Sequence, residues 1–359
     1  MNKIYRKIWS RALNQLVVVS ELASSQSSGG QGRQATGRSS LSRPRPGILI
    51  LLAAAGGIGW VLPAHAQSVD CNPSPFNAYN GTASCMGLGA TANGLGATAL
   101  GSISNASVLG ALAVGYASQS TGQNGIAVGF QANAAFINSI YLGARTAAGT
   151  GALANSAIAV GTDVTASGTA SIAFGTQSKA VAGNTIAFGT SSSVDVNSAN
   201  SVAIGPSARA TGAINAVALG ASSLATTGQG TALGAFTVAS GDGATAVGLS
   251  SQSTFSHATA VGWQAFATAL NAVYLGARTT GTGASAESAI AIGTDVTASG
   301  LYSIGMGLQA NASQGDAIAI GRQALATGLN SMYIGARASN IAGSGATANN
   351  AIALGIDVT

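Results

Sequence analysis

The chain runs to 359 residues, yet only 6% of them are charged and 51 are glycine, a composition that excludes ordinary globular domains and points to repetition. Hydrophobic residues reach 47%, but much of this is alanine, and beyond residue 66 no run approaches the roughly 20 apolar residues of a membrane-spanning helix. The formal charge of +5 sits before residue 67, where eight Lys or Arg face the single acid Glu21; the remainder holds six basic and eight acidic residues, offers no basic face to a phosphate backbone, and so excludes nucleic acid as a partner.

The opening residues, MNKIYRKIWSRALNQLVVVSELAS, carry Asn2-Lys3, Tyr5-Arg6, Trp9 and Val19-Ser20-Glu21, with Leu16 where a tryptophan is expected. Over residues 1–24 this resembles the extended signal region of large Gram-negative autotransporters and related adhesins. Next, Gly47 to Leu62 form an apolar core behind Arg43 and Arg45, followed by the small-x-small pattern Ala64-His65-Ala66. Sixteen residues is short for a transmembrane anchor, so the pattern predicts an export signal over 1–66, cleaved after Ala66. Residues 67–85 then form a short N-terminal segment of the mature chain.

From Met86 onward one unit recurs, an apolar triplet closed by glycine, as in Ile126-Ala127-Val128-Gly129 and Ile318-Ala319-Ile320-Gly321. Nineteen such glycines occur between Gly87 and Gly355, and thirteen of the eighteen intervals are 14 residues. A fixed period with occasional insertions predicts an all-β solenoid, since glycines at this density disfavour helix. The first and third residues of each triplet are mostly branched, whereas the middle one is Ala in fourteen units and Tyr141, Tyr274 or Tyr333 in three. On a strand these alternate between two faces. The expectation is that the branched residues fill the coil and that the alanine row, with the tyrosines, faces another chain.

Asn200-Ser201-Val202-Ala203-Ile204-Gly205 followed by Ser207 is the unit that carries a family likeness. It resembles the signature of the head of YadA-like trimeric autotransporter adhesins, and the likeness extends over 86–359. The resemblance implies a left-handed parallel β-roll of 14-residue coils, assembly into a homotrimer, no cofactor, and display on the Gram-negative cell surface. It further implies attachment to matrix proteins such as collagen, or to cells, with those seven residues as contributors. A coiled-coil stalk and a C-terminal outer-membrane anchor would complete such a protein, so the sequence is read as a piece of a longer one.

Three units read Tyr-Leu/Ile-Gly-Ala-Arg, followed by a small-residue insertion and an Asp-Val-Thr triplet. Placing equivalent residues of neighbouring coils together predicts charge pairs Arg145 with Asp163, Arg278 with Asp295 and Arg337 with Asp357. Cys71 and Cys85, the only cysteines, are expected to form a disulfide in an oxidising compartment. With His257 the only histidine past the signal, neither a metal set nor a hydrolytic triad is predicted. An ice-binding or other surface solenoid is the alternative, weakened because Thr98, Thr231, Thr245 and Thr259 hold only four places in a mainly branched row.

Overall fold

The computed structural model describes residues 5–10, 15–20, 83–212, 214–338 and 343–358, in two units, Met1–Ala64 and His65–Thr359. In the first, Tyr5–Ser10 and Gln15–Ser20 pair as an antiparallel hairpin. The apolar run at 47–62, the cleavage point at Ala66 and Cys71 lie outside the described residues.

The second unit is a parallel β-solenoid. A coil consists of a three-residue strand, a turn, a two-residue strand and a second turn, as in Ile126–Val128 followed by Asn133–Ala134. Three-residue strands from Ser84–Met86 to Ile352–Leu354 stack into one sheet; two-residue strands from Thr91–Ala92 to Leu325–Ala326 stack into another. Neighbours pair in parallel and in register, Ile126 lying between Leu112 and Ile140. Backbone groups therefore bond up and down the stack, for example Gly129 N–H to the Val114 carbonyl at 2.7 Å and Ile126 N–H to that of Ser139 at 2.9 Å. Eighteen steps of about 4.8 Å make the stack about 86 Å long.

Sharp corners close so short a coil. Two residues per coil adopt a left-handed conformation, Gln131 (φ 51°) and Asn138 (φ 55°) in the coil that starts at Ile126. Such corners are mostly Asn, Ser, Gln or Asp, side chains short or polar enough to accept this region. The repeat glycines are more constrained still, all nineteen having φ between +117° and +144°. At Gly129 a Cβ would also run into the carbonyl of Gly143 in the next coil. Glycine recurs there because both the backbone angle and the stacking require it.

The facing of the strands reverses the expectation from sequence. Ala127, Ala132, Ala134 and Ser139 are fully buried and form the interior of their coil, whereas Ile126 and Val128 are half-buried and project outward. Tyr141, Tyr274 and Tyr333 are likewise inside rather than exposed. The reason is the cross-section: two strands joined by turns this tight enclose room for about one small side chain from each of four positions. Several buried hydroxyls at these positions bond back to the preceding turn, as Ser118 Oγ does to the Gly115 carbonyl at 3.0 Å and Ser104 Oγ to that of Gly101 at 2.8 Å.

The insertions respect this plan. Those after Gly143, Gly276 and Gly335 enlarge the first turn of a coil, and smaller ones at 195–201 and 211–216 enlarge the second. Neither kind breaks the register of the three-residue strands.

Candidate adhesive surface

Along the outer face of the first sheet, the first and third triplet residues form two continuous rows, the third apolar throughout and the first apolar except at Ser84, Thr98, Thr231, Thr245 and Thr259. Phe174 and Phe188 stack there with centroids 4.6 Å apart and planes 4° from parallel, and each is more than two-fifths exposed. Leu142, Leu219, Leu233 and Met306 continue the same row. An apolar stripe of this length exceeds what a soluble monomer ordinarily exposes.

The segment singled out by sequence divides between interior and surface. Ser201 and Ala203 are buried; Val202 and Ile204 are half-buried in the outward rows, not in the core where the sequence reading put them. Gly205 is the turn glycine at φ +129°. Asn200 and Ser207 occupy left-handed corners, both exposed. Asn200 Oδ1 accepts from Asn184 Nδ2 at 3.2 Å, one of several asparagine ladders that join adjacent corners. Ser201 Oγ accepts from the Ala216 N–H at 2.9 Å, tying one coil to the next.

Each Tyr-Leu/Ile-Gly-Ala-Arg insertion is held at both ends, by its arginine and by its aspartate. Arg145 Nε donates to the Gln131 carbonyl at 3.0 Å and its Nη1 to the Thr150 carbonyl at 3.2 Å. Asp163 instead accepts from Thr146 N–H at 2.6 Å, Thr146 Oγ1 at 2.7 Å and Ala147 N–H at 2.8 Å. The arginine thus grips the closing end of the loop and the aspartate its opening amides, the guanidinium acting on the carboxylate only through space. Arg278 and Asp295 repeat the arrangement, Arg278 holding the Gln264 and Gly281 carbonyls while also lying 4.4 Å over the Phe266 ring. In the third copy Arg337 Nε donates to Ser344 Oγ at 2.8 Å and Asp357 Oδ1 accepts from Ala338 N–H at 2.6 Å. The physical reason for separate partners is that a widened turn leaves backbone groups unpaired, and these compete successfully for both side chains.

These partners shift ionisation. The hydroxyl of Thr146, then the Ala147 and Thr146 amides, hold the Asp163 carboxyl below its ordinary value; the Thr280 amide leads the same effect at Asp295. Burial pushes the phenols of Tyr141 and Tyr274 up, and each donates inward, to the Ala144 and Ala277 carbonyls at 2.9 Å.

Beneath the first insertion a groove of about 790 Å³ opens along the second sheet, between loop residues 147–150 and Arg209. Lys179 and Arg209 line it, together with serine and threonine hydroxyls. Sequence reading passed over these two cations: 30 residues apart, they fall off the 14-residue period until the insertion at 195–201 is subtracted. Cys85, on the inward position of the first coil, is engaged in a disulfide, and its expected partner Cys71 lies outside the described residues. Among the described residues no cluster of His, Cys, Asp or Glu could hold a metal.

Comparison with protein-family models matches residues 1–49 to the extended signal peptide of type V secretion systems. The YadA head domain repeat matches ten segments between 86 and 338, most of them overlapping, which together span more than half of the chain. The chain belongs to the YadA-like trimeric autotransporter adhesins. This YadA-like protein is accordingly exported to the Gram-negative cell surface, and its repeats are of a structural and adhesive kind. No curated protein matches it individually.

Proposed function

We propose that this YadA-like chain is an adhesive head that works as a homotrimer and attaches to matrix proteins such as collagen, or to cells, through many weak contacts repeated along its coils. The observation that carries the reading is the pair of outward apolar rows, which keep one period from Ser84–Met86 to Ile352–Leu354. Only a surface with the same period covers such rows in register, and a second and third copy of this chain is that surface. With the first sheet occupied in this way, the exposed corners and the second sheet remain for ligands. Each corner recurs coil after coil and three times around the trimer, so individually weak contacts sum through high effective concentration. Asn200 and Ser207 contribute directly in this reading; Val202 and Ile204 act through the trimer.

Removing two whole coils, residues 230–257, joins Gln229 to Ala258 in register and tests the distributed model. Affinity for a collagen-coated surface is expected to fall by a small step, in proportion to coils removed, with the trimer intact. Abolition of binding by a still-trimeric deletion variant would replace this reading with a single discrete site.

A further inference from the structure

We propose that the groove beneath the first insertion is a discrete binding site for an acidic oligosaccharide, with Lys179 and Arg209 receiving its carboxylate or sulfate groups. The groove lies on the second sheet, whose outer face points away from the apolar rows, so covering those rows leaves it open. Its volume of about 790 Å³ falls in the range of small-ligand sites. The lining is polar throughout its floor, with Thr165, Gln177, Ser193 and Ser207 offering hydroxyls and an amide suited to sugar hydroxyls, and no aromatic or branched wall for an apolar ligand.

Charge selects the ligand. Lys179 and Arg209 occupy the same position of the two-residue strand, flanking Ser193 with one coil between them. Their backbones are therefore about 10 Å apart, a spacing that suits acidic groups on alternate sugars of a glycan. Asp163, the one carboxylate in the lining, is already occupied by three donors from Thr146 and Ala147. Asp195 sits two residues past Ser193, outside the lining, with its Oδ1 accepting from Ser193 Oγ at 3.4 Å. The cations of the groove are thus left for a ligand.

The second insertion provides an internal control. It overhangs the same rows of the fold, but the corresponding strand positions hold Thr297, Asn311 and Leu325, with no cation. Lys179 is also the only lysine beyond residue 66. Placing it beside one of so few arginines, in the one groove roofed by the 147–150 loop, is what separates this site from the repeated surface.

The site goes beyond the distributed adhesion proposed above and is tested apart from it. Isothermal titration of the full exported protein would use a heparin hexasaccharide, a hyaluronan hexasaccharide and a neutral dextran oligosaccharide. Binding of heparin alone would identify sulfate as the recognised group, and binding of hyaluronan as well would identify carboxylate. The double variant Lys179→Gln/Arg209→Gln is expected to weaken that binding at least tenfold, with unchanged circular dichroism and with adhesion to collagen lowered by no more than the small step that the distributed model gives to one or two coils. Arg322→Gln, outside the groove, is expected to leave binding within twofold. The site is overturned by undiminished binding in the double variant, by an equal loss with Arg322→Gln, by equal affinity for dextran or for a single-stranded oligodeoxynucleotide, or by no binding to either acidic glycan. Loss of collagen adhesion in the unaltered protein would count against the adhesive reading instead, leaving the glycan result to stand alone.

Discussion

At Gly305 a single missing methyl shows how little room the interior has. Other coils hold alanine, tyrosine or, at the first, Cys85 at this inward position, but here a Cβ would lie 2.7 Å from Val296 Cγ1. The aspartates at the insertions act on the same scale and give a pH dependence. Because the hydrogen bonds of Thr146 and Ala147 lower the folded-state pKa of Asp163, its clamp is fully present above the ordinary carboxylate value of about 3.9 and is lost as pH falls through the depressed one. Amide exchange at Thr146 and Ala147 is expected to quicken relative to the neighbouring coils below about pH 4, and Asp163→Asn to show the faster exchange at every pH. Equal protection at neutral and acid pH would contradict the clamp.

In the strands, the decisive property is which residue points inward. Ala187 is fully buried while its neighbour Ile186 is half-buried on the outward row. Ala187→Leu is therefore expected to overpack the coil, destabilising it by about 1–3 kcal/mol and lowering the melting temperature seen by circular dichroism. Ile186→Asp should spare the coil and weaken association between chains instead, read as a loss of oligomer in light scattering. The opposite pair of effects would mean that the alanines face outward after all. The same logic explains the tyrosines: where the first turn is widened by insertion, the interior widens with it, and Tyr141 fills the space while its hydroxyl reaches the Ala144 carbonyl.

As a whole, the solenoid has a core of small side chains and an exterior stripe of large ones, the reverse of a protein built to stand alone. Stability must then come from the backbone ladders and from covering the stripe. Light scattering of the exported protein is expected to give three times the mass of one chain, with unfolding and dissociation coinciding at one temperature. A folded monomer that persists at micromolar concentration would refute the trimer. Cys85, on the first described strand of the stack, is held in a disulfide.

By itself the sequence determined the period, the strand within each unit, the turn glycines, the five insertions and the export signal, because each is written locally or as a simple translation along the chain. The alternation in Ile126-Ala127-Val128 also established that two faces exist, one bulky and one small. Which face is inside depended on the distance between two strands separated by a turn, a tertiary quantity, and the rule that bulk belongs in the core failed because four small side chains already fill so thin a coil. The Arg145 and Asp163 partners were hidden for a related reason, since only the folded loop reveals which backbone groups its widening leaves unpaired. Lys179 and Arg209 became neighbours only once the insertion between them was seen to bulge outside the register, so that residues 30 apart in sequence stand in line on one sheet.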